Sequence, residues 1–475
     1  MKLLKSRTLG TAIALLALSA CTTTLLPSSK VTTQVADSWQ APLPHHGTVS
    51  DLSQWWQQQG DPLLVELIEA AQAVSPTVAN SLTRIEDARA KQATAHGALV
   101  PNLSAQASAS RGVTQPQVPV ATTLQGGLQA SWELDLVGAN RAVNNAAAAQ
   151  VEGSRAQWHD ARVSVAAEVA NLYYAQSSCM ELVEIGKQDT ASQRETARLA
   201  AINAKAGFTS ASVAALARAS AADSNNRLQQ QSTQCDINTK ALVALTGLAE
   251  PQLRQKLAAA FARPIKATPI SVANVPAQTI AQRPDVFAAE RDVVVAAATV
   301  GNARAQRYPR LSLNGSIGAM RVSSGGTDQN ESTWSFGPLA FSLPLYDGGQ
   351  RAAAVKSSEA AYQASIASYQ AKVRQAVREV EEALITLQST EAREADSQTA
   401  AQGYAESRTA TQARYDQGLA SLMELEEARR LALSAQSTQI TLQQQRNQAW
   451  VALYRALGGG FEPSSVTEPA TARAD

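Results

Sequence analysis

The sequence has few of the residues that build a thick globular core or a catalytic centre. Aromatic residues make up 5% of its 475 residues, and it contains four histidines and three cysteines. No two histidines have the spacing of a zinc site, and neither a phosphate-binding glycine loop nor a Gly-x-Ser-x-Gly motif is present. We therefore expect thin, closely packed helices, no metal site and no enzymatic activity.

A surplus of positive charge is also missing. The 41 Lys and Arg residues are balanced by 40 Asp and Glu, which leaves a formal charge of +1. Without a basic patch, nucleic acid is not an expected partner. No apolar run reaches the ~18 residues of a membrane-spanning helix.

The N-terminal residues predict export and lipid attachment. Lys2, Lys5 and Arg7 precede a short apolar run, which ends in Leu18-Ser-Ala-Cys21. This is the pattern of a bacterial lipoprotein signal peptide, here residues 1–20. We expect Cys21 to carry a covalent lipid, the sole cofactor, and to open a lead-in over 21–61. An ordinary signal peptide that happens to contain a cysteine is the alternative reading. Because Thr22 and not Asp follows, nothing marks the chain for inner-membrane retention, and we expect an outer-membrane location.

Proline is missing from two long windows. None of the 18 prolines lies between Pro119 and Pro251, or between Pro344 and Pro463. Proline costs ~3 kcal/mol inside a helix, so both windows are predicted to be helical. Apolar heptad seams support this, and they comprise Val165, Val169, Leu172, Gln176, Cys179 and Val183 in the first window and Val373, Val377, Val380, Leu384 and Leu387 in the second.

One glycine interrupts each window at the same place. A glycine with positive φ ends a helix, and a following Ser or Thr caps the next one. Gly207 and Gly418 therefore predict the tips of two helical hairpins, with a mid-helix glycine as the alternative. The residues around them are Phe208, Thr209 and Ser210 in the first tip and Leu419 and Ser421 in the second.

The chain is a tandem duplication with an offset of roughly 210 residues. Matching segments are Val100–Ser104 with Tyr308–Ser312, and Leu136–Arg141 with Tyr346–Arg351. We expect a first repeat over 62–262, a second over 263–460 and a disordered tail over 461–475.

Each repeat also contains two stretches of alternating apolar and polar residues. They predict strands at about 103–111 and 124–136, and at about 311–320 and 333–343, joined by loops over 112–123 and 323–332. Strands with one apolar and one polar face suit an outer-membrane barrel. A soluble sandwich is the alternative, but four strands are too few for its core. Because an open sheet edge is not tolerated in lipid, several copies must close such a barrel together.

The two remaining cysteines predict a disulfide. Cys179 and Cys235 are equidistant from Gly207, since 207 − 179 and 235 − 207 both equal 28. Residues equidistant from a hairpin turn lie opposite each other, and exported proteins meet an oxidising compartment. Two buried free thiols are the alternative.

Taken together, these features resemble the TolC-like outer-membrane efflux ducts, in particular the NodT-like lipoprotein subgroup of tripartite efflux systems with RND-type pumps. The resemblance covers about residues 50–460. Its most specific motifs are Arg283-Pro-Asp-Val286, Tyr308-Pro-Arg-Leu-Ser312 and Pro344-Leu-Tyr-Asp-Gly-Gly349. It implies a mainly α fold with a small β part: long antiparallel coiled-coil helices form a periplasmic α-barrel, and a homotrimer shares a 12-stranded outer-membrane β-barrel.

The resemblance also implies partners and a gate. The tips would dock onto a periplasmic adaptor that links the duct to an inner-membrane RND-type pump. Glu424 and Glu427 match acidic positions at the periplasmic constriction, and Tyr415, followed by Asp416, matches an aromatic latch. The family often has Asp at the acidic positions and Arg where this chain has Ala420. A solvated acidic helix face is the alternative.

Two other functions stay open at this point. One is the duct of a type I protein secretion system, and the other is a lipid-anchored periplasmic coiled-coil scaffold without a pore. The sequence leaves the transported substrates undetermined.

Overall fold

The computed structural model describes residues 26–28, 39–41, 54–113, 120–261, 269–270, 280 and 283–462. The predicted signal peptide, Cys21 and residues 463–475 lie outside this part. The elements are α1 (Trp55–Gln58), α2 (Pro62–Val74), α3 (Pro76–Gly97), β1 (Asn102–Gly112), β2 (Ala121–Leu134), α4 (Ala139–Lys205), α5 (Ala211–Thr246), α6 (Glu250–Ala260), α7 (Pro284–Ala305), β3 (Arg310–Ser324), β4 (Thr327–Ser342), α8 (Gln350–Asp416) and α9 (Leu422–Ala456).

The chain divides into two compact units. The described residues of Met1–Thr33, Leu82–Arg155 and Phe287–Lys372 form the first unit, which contains the sheet. Those of Gln34–Ser81, Ala156–Val286 and Val373–Asp475 form the second, which is helical. None of the described helices is long and apolar enough to cross a membrane.

The sheet of the first unit is antiparallel, with the strand order β1-β2-β3-β4. The central pair joins the two repeats, since Leu134 on β2 faces Leu311 on β3. The register aligns apolar residues of all four strands on one face; Leu103, Leu128, Ile317 and Trp334 are examples. Their neighbours in each strand, mostly Ser, Gln and Asn, share the other face. The side chains of the apolar face are largely exposed, Trp334 and Phe336 at 80% and 82%.

An irregularity in β4 keeps its apolar side chains on that face. The register shifts between Leu313 and Gly315, opposite Gly337 and Pro338. Gly337 and Pro338 stand opposite the single residue Asn314, and this one extra residue changes the parity of the strand, so Phe336 and Leu339 both pair with odd-numbered partners on β3. Pro338 has no N–H to donate, and it lies on an edge strand where that loss is tolerated.

The predicted loop at 323–332 is wrong. β3 continues to Ser324 and β4 begins at Thr327, with Gly325 and Gly326 alone between them. Both glycines have positive φ, 57° and 83°, as a two-residue type I′ turn requires. The residues after the turn are polar on both faces, so hydrophobic alternation gave no sign that the strand continues there.

The second strand, predicted at about 124–136, begins earlier, at Ala121 within the predicted loop over 112–123, and it stops at Leu134. The next residue, Asp135, caps helix α4: its carboxylate accepts hydrogen bonds from the N–H groups of Asn140 and Arg141, at 3.2 and 2.9 Å. A carboxylate that accepts these otherwise unpaired donors starts the helix.

In the core of the helical unit, the short helix α1 packs against the end of α9. Trp55 and Trp56 are buried, and their rings lie 5.0 and 4.7 Å from that of Tyr454. The Asp61 carboxylate caps α2 and accepts a 2.5 Å hydrogen bond from the Tyr173 hydroxyl on α4. Burial raises the pKa of Tyr173 above its ordinary value, and the bond to Asp61 raises it further.

The predicted tail begins too early. Phe461 is 2% exposed and its ring lies 5.3 Å from that of His159. Three consecutive glycines, Gly458 to Gly460, all have positive φ and turn the chain back onto the helices. The folded part therefore includes Phe461.

Two long helical hairpins, over 139–246 and 350–456, lie in the windows that the missing prolines predict. Helices α4 and α8 each contain 67 residues. The apolar seams face inwards: Val169 and Val380 are 0% and 1% exposed. The predicted fold class, mainly α with a small β part, is confirmed.

Candidate functional site at the hairpin tips

The two hairpins turn with the same backbone geometry. Gly207 and Gly418 have φ of 81° and 74°, and a Cβ added at either would meet nothing within 4 Å. Substitution there is therefore opposed by the backbone conformation and not by crowding. The N–H of Phe208 reaches back to the Asn203 carbonyl at 2.9 Å, and that of Leu419 to the Arg414 carbonyl at 2.8 Å. These are six-to-one bonds of a Schellman motif, which closes a helix end at a glycine.

The helices after the turns are capped by serines. The Ser210 hydroxyl accepts from the Val213 N–H at 3.4 Å, whereas Thr209 does not act as the cap. Ser421 forms a full capping box with Glu424: the Ser421 N–H donates to the Glu424 carboxylate at 2.7 Å, and the Glu424 N–H to the Ser421 hydroxyl at 3.2 Å.

Each tip presents large apolar side chains to its surroundings. Phe208 is 82% exposed, Leu419 66% and Met423 67%. Side chains of this size are usually buried, so three of them at two structurally matching turns indicate a surface that contacts something else.

The candidate gate carboxylates are exposed and tied to local partners. Glu424 belongs to the capping box, and its hydrogen bonds with Ser421 lower the pKa of its carboxyl below the ordinary value. Glu427 pairs with Arg430 at 2.6 Å, which lowers its pKa in the same direction. Both carboxylates therefore stay ionised at neutral pH and in mildly acidic solution. Because the Arg430 pair is exposed, it is weak and leaves Glu427 available.

The candidate latch residues have different surroundings from each other. Tyr415 packs against a small apolar cluster formed by Ala197, Ala200, Ala217 and Leu422. Burial raises the pKa of its hydroxyl. The Asp416 carboxylate accepts a 2.8 Å hydrogen bond from the Gln412 side chain.

Sequence reasoning missed one residue near the tips, Arg429 on α9. It is 4% exposed, although arginine is rarely buried, and it donates hydrogen bonds to side chains on two other helices, α4 and α8. The duplication offered a signal. Arg218 and Arg429 both stand 11 residues after their tip glycines, since 218 − 207 and 429 − 418 are equal.

The two cysteines of the first hairpin are brought together. Their sulfur atoms lie 2.03 Å apart and their Cα atoms 5.6 Å, so α4 and α5 are joined by a disulfide in the structure. Each cysteine lies 28 residues from the tip glycine, one on each helix of the hairpin, as the spacing predicts.

The Arg-Pro-Asp-Val motif has a structural role. The Arg283 guanidinium, 5% exposed, makes two 2.9 Å bonds to Asp285 and one of 2.8 Å to Glu379 on α8. It also donates to the Ala456 carbonyl at the end of α9, at 2.9 Å. The motif thereby joins the start of α7 to the helices of the second hairpin.

Within the part of the chain that the structure describes, no three His, Cys, Asp or Glu side chains are grouped so that they could hold a metal ion. The arrangement at the tips consists of turns, apolar side chains and exposed carboxylates. It is suited to contact with a partner and to attraction of cations.

Comparison with known proteins identifies the family. The model of the family described as outer membrane efflux protein matches residues 67–248 and 275–459. The chain belongs to this family and is an outer-membrane protein. The resemblance inferred from the motifs is confirmed. The family's members are channel proteins.

Individual relatives agree with this placement. The chain is 28% identical over 469 residues to outer membrane protein OprJ of Pseudomonas aeruginosa, covering 95% of this chain and 96% of OprJ. It is 26% identical over 418 residues to nodulation protein T of Rhizobium leguminosarum bv. viciae, covering 88% and 86%. The crystal structure of the Campylobacter jejuni CmeC outer membrane channel has the same fold, with a TM-score of 0.80 at 22% identity and coverage of 93% and 96%.

Proposed function

We propose that this chain is the exit duct of a tripartite efflux pump. It passively conducts small molecules such as drugs from a pump and its adaptor across the periplasm and the outer membrane. The sheet carries this proposal: four strands have one continuous exposed apolar face, and β1 and β4 leave the two edges open. Such edges are not tolerated in lipid unless other strands pair with them.

Strand number supports a homotrimer. Two copies would supply eight strands, and an eight-stranded barrel has an interior that side chains fill. Three copies supply twelve, which leaves room for a solute. Pairing of β4 from one copy with β1 of the next would close the barrel without a free edge.

The tips support a periplasmic adaptor as the partner. Phe208, Leu419 and Met423 are exposed on matching turns of both hairpins. A trimer would present six such tips at one end. An inner-membrane pump of the RND type would then be contacted only through the adaptor.

Conductance of the purified protein tests the proposal. Detergent-solubilised protein is sized by mass spectrometry and added to a planar lipid bilayer. We expect a trimer that inserts and passes ions in discrete steps. A stable trimer that never conducts would favour the lipid-anchored scaffold, and conductance by a monomer or dimer would contradict the shared barrel.

A first prediction concerns Cys21, which lies outside the described residues. We propose that it is the mature N-terminus and carries the lipid, because Leu18-Ser-Ala-Cys21 matches the lipoprotein cleavage pattern. A palmitate analogue supplied to cells should label the wild type and leave Cys21→Ser unlabelled. The matched control is Cys235→Ser, which should be labelled normally. Equal labelling of the wild type and Cys21→Ser would contradict acylation.

A second prediction concerns the gate. We propose that Glu424 and Glu427 form rings of carboxylates around the three-fold axis and attract cations. The double variant Glu424→Gln/Glu427→Gln should lose much of its cation selectivity, measured as the reversal potential in a salt gradient. Glutamine at position 424 can still complete the capping box, so the turn is expected to persist.

The control for the gate is Glu406→Gln, a substitution of an exposed glutamate on α8 away from the turn. Selectivity should also fall when the solution is made acidic enough to protonate these carboxylates, whose partners Ser421 and Arg430 lower both pKa values within one chain. Unchanged selectivity in the double variant would remove these residues from the gate.

A further inference from the structure

The apolar face of the sheet carries charge at one end only. Directly paired residues share a face, so the pairing defines rows of side chains that run across the strands. From the row of Leu134 and Leu311 to the row of Gly126 and Ala319, none of the side chains that the described strands place on this face is charged. The next two rows contain three charged side chains, which are Arg321, Asp328 and Arg111.

These charged rows lie at the end of the sheet that faces the cell exterior. The other ends of β2 and β4 lead into the long helices α4 and α8, which extend into the periplasm, and the Gly325–Gly326 turn marks the outer end. Ten steps along β3 separate Leu311 from Arg321. They span ~34 Å of strand, or ~26 Å along the membrane normal at a tilt of ~40°. Since an outer-membrane barrel has an apolar band about 25 Å tall, Arg321 lies at the level of the outer-leaflet headgroups.

Arg111 and Arg321 are close neighbours on this face. Arg111 pairs with Thr122, and Thr122 pairs with Ser323, two residues beyond Arg321 on β3. Two strand spacings and two residues of rise place the Cα atoms of the two arginines about 12 Å apart. Both side chains are exposed. Guanidinium groups bind phosphate through paired hydrogen bonds, so two of them at this separation suit a headgroup with more than one phosphate.

The carboxylate of Asp328 holds Arg321 in place but does not neutralise the pair of arginines. It pairs with the Arg321 guanidinium and accepts a hydrogen bond from the Ser323 hydroxyl. The Arg321 and Asp328 side chains are 54% and 48% exposed, so their ion pair is weak. A guanidinium has five N–H donors, which leaves some of them for a phosphate. Glu331, the next carboxylate along β4, pairs with Met320 and belongs to the opposite face.

A depression in the apolar face adjoins the arginines on the side of the membrane interior. The row next to that of Arg321 has small side chains in every strand: Ala107, Gly126, Ala319 and Ser332. Beyond it stand the exposed side chains of Ile317 and Trp334, and Leu124 borders it on the other side. The cavity has a volume of about 690 Å³, and Arg321 forms part of its wall. It gives an acyl chain a place directly below the level of the guanidinium groups.

We propose that Arg111 and Arg321 form a binding site for a phosphorylated glycolipid of the outer leaflet. The two guanidinium groups bind its phosphates, and one acyl chain lies in the cavity beside Arg321. Because the site is contained in the sheet of one chain, a trimer has three such sites. The site rests on the proposed function in one respect, which is that the sheet spans the outer membrane.

Lipid binding to the purified trimer in detergent tests the site. Native mass spectrometry counts the molecules of diphosphoryl lipid A that stay bound and gives their dissociation constants. We expect up to three per wild-type trimer. Because hydrogen bonds to charged groups are strong and each arginine at a lipid surface adds to the attraction, Arg111→Gln/Arg321→Gln should weaken binding about tenfold or more. Asp328→Asn removes a carboxylate that repels phosphate, so it should strengthen binding.

The same strand supplies a matched control. Arg310 is an exposed arginine at the periplasmic end of β3. Arg310→Gln makes the same chemical change away from the site and should bind lipid A like the wild type. Lipid A without its phosphates should bind to the wild type as weakly as diphosphoryl lipid A binds to the double variant. Inorganic phosphate at the concentration of the lipid should not displace it.

The outcomes distinguish the lipid site from the duct. Equal binding of lipid A with and without phosphates would overturn the site, as would an equal loss in Arg310→Gln. Displacement by inorganic phosphate would assign the arginines to the free ion and overturn the lipid site as well. A wild type that binds lipid A but passes no current in a planar bilayer overturns the proposed function alone. A conducting wild type whose double variant keeps its full affinity overturns the lipid site alone.

Discussion

Replacement of Arg283 by methionine is expected to lower the free energy of unfolding by about 3 kcal/mol, because it removes a buried cation that pairs with two partly buried carboxylates and a carbonyl. The side chain is 5% exposed and bonds to Asp285, Glu379 and a carbonyl of α9. The measurement is urea unfolding of the purified protein, followed by tryptophan fluorescence, since Trp55, Trp56 and Trp450 are buried in the same unit.

Arg378→Met is the matched control for this experiment. Arg378 is on α8 next to Glu379, but its side chain is 66% exposed and its pair with Glu382 is long, at 3.6 Å. Exposed pairs contribute at most about 1 kcal/mol, so this variant should unfold nearly like the wild type. If both variants lose the same amount, the buried network has no special role.

Loss of the disulfide has the second large effect. The Cys179–Cys235 bridge closes a loop of ~57 residues, which corresponds to about 4 kcal/mol on the chain-entropy estimate. We expect the double variant Cys179→Ala/Cys235→Ala to unfold at markedly lower urea concentration. Wild-type protein treated with a reductant should behave in the same way.

Two controls make the disulfide result specific. The reductant should have no effect on the double variant, which has no bridge to lose. Thiol counting in denaturant without reductant should find neither cysteine free, and two free thiols per mature chain would contradict the bridge. The second hairpin has Thr390 and Arg446 at the corresponding positions, so it provides no second bridge.

Regularities of sequence predicted most of the fold. Missing prolines and heptad seams gave helices α4 and α8, because one proline would interrupt them and their apolar seams must be buried. The tip glycines predicted the turns since few residues other than glycine adopt positive φ. The spacing of Cys179 and Cys235 about Gly207 predicted which residues face each other.

What the sequence did not reveal has local physical causes. One extra residue at Gly337-Pro338 changes the parity of β4, so strict alternation is interrupted although its apolar face is continuous. A Gly-Pro pair inside such a run is the signal of a bulge. Phe461 lies in the predicted tail, yet the three glycines before it return it to the core.

The candidate site was less predictable than the fold. Arg429 and Arg218 are the same residue at equivalent repeat positions, and the sequence does not distinguish them. Only packing against α4 buries one and leaves the other exposed. The resemblance indicates Glu424 as a candidate gate residue, and the structure shows that its carboxylate also caps its own helix.

The hydroxyl of Tyr362 on α8 donates to the Ser28 carbonyl, and the Glu381 carboxylate accepts from the N–H groups of Gln40 and Ala41, at 2.6 and 2.8 Å. The chain before α1 is therefore attached to α8 at two places. An extended chain advances at most ~3.6 Å per residue, and seven steps separate Cys21 from Ser28, which sets a limit of about 25 Å. If Cys21 carries the lipid, the Tyr362 hydroxyl lies within about that distance of the inner leaflet of the outer membrane. The lead-in would then set an upper limit on how far this part of α8 can lie from the membrane surface.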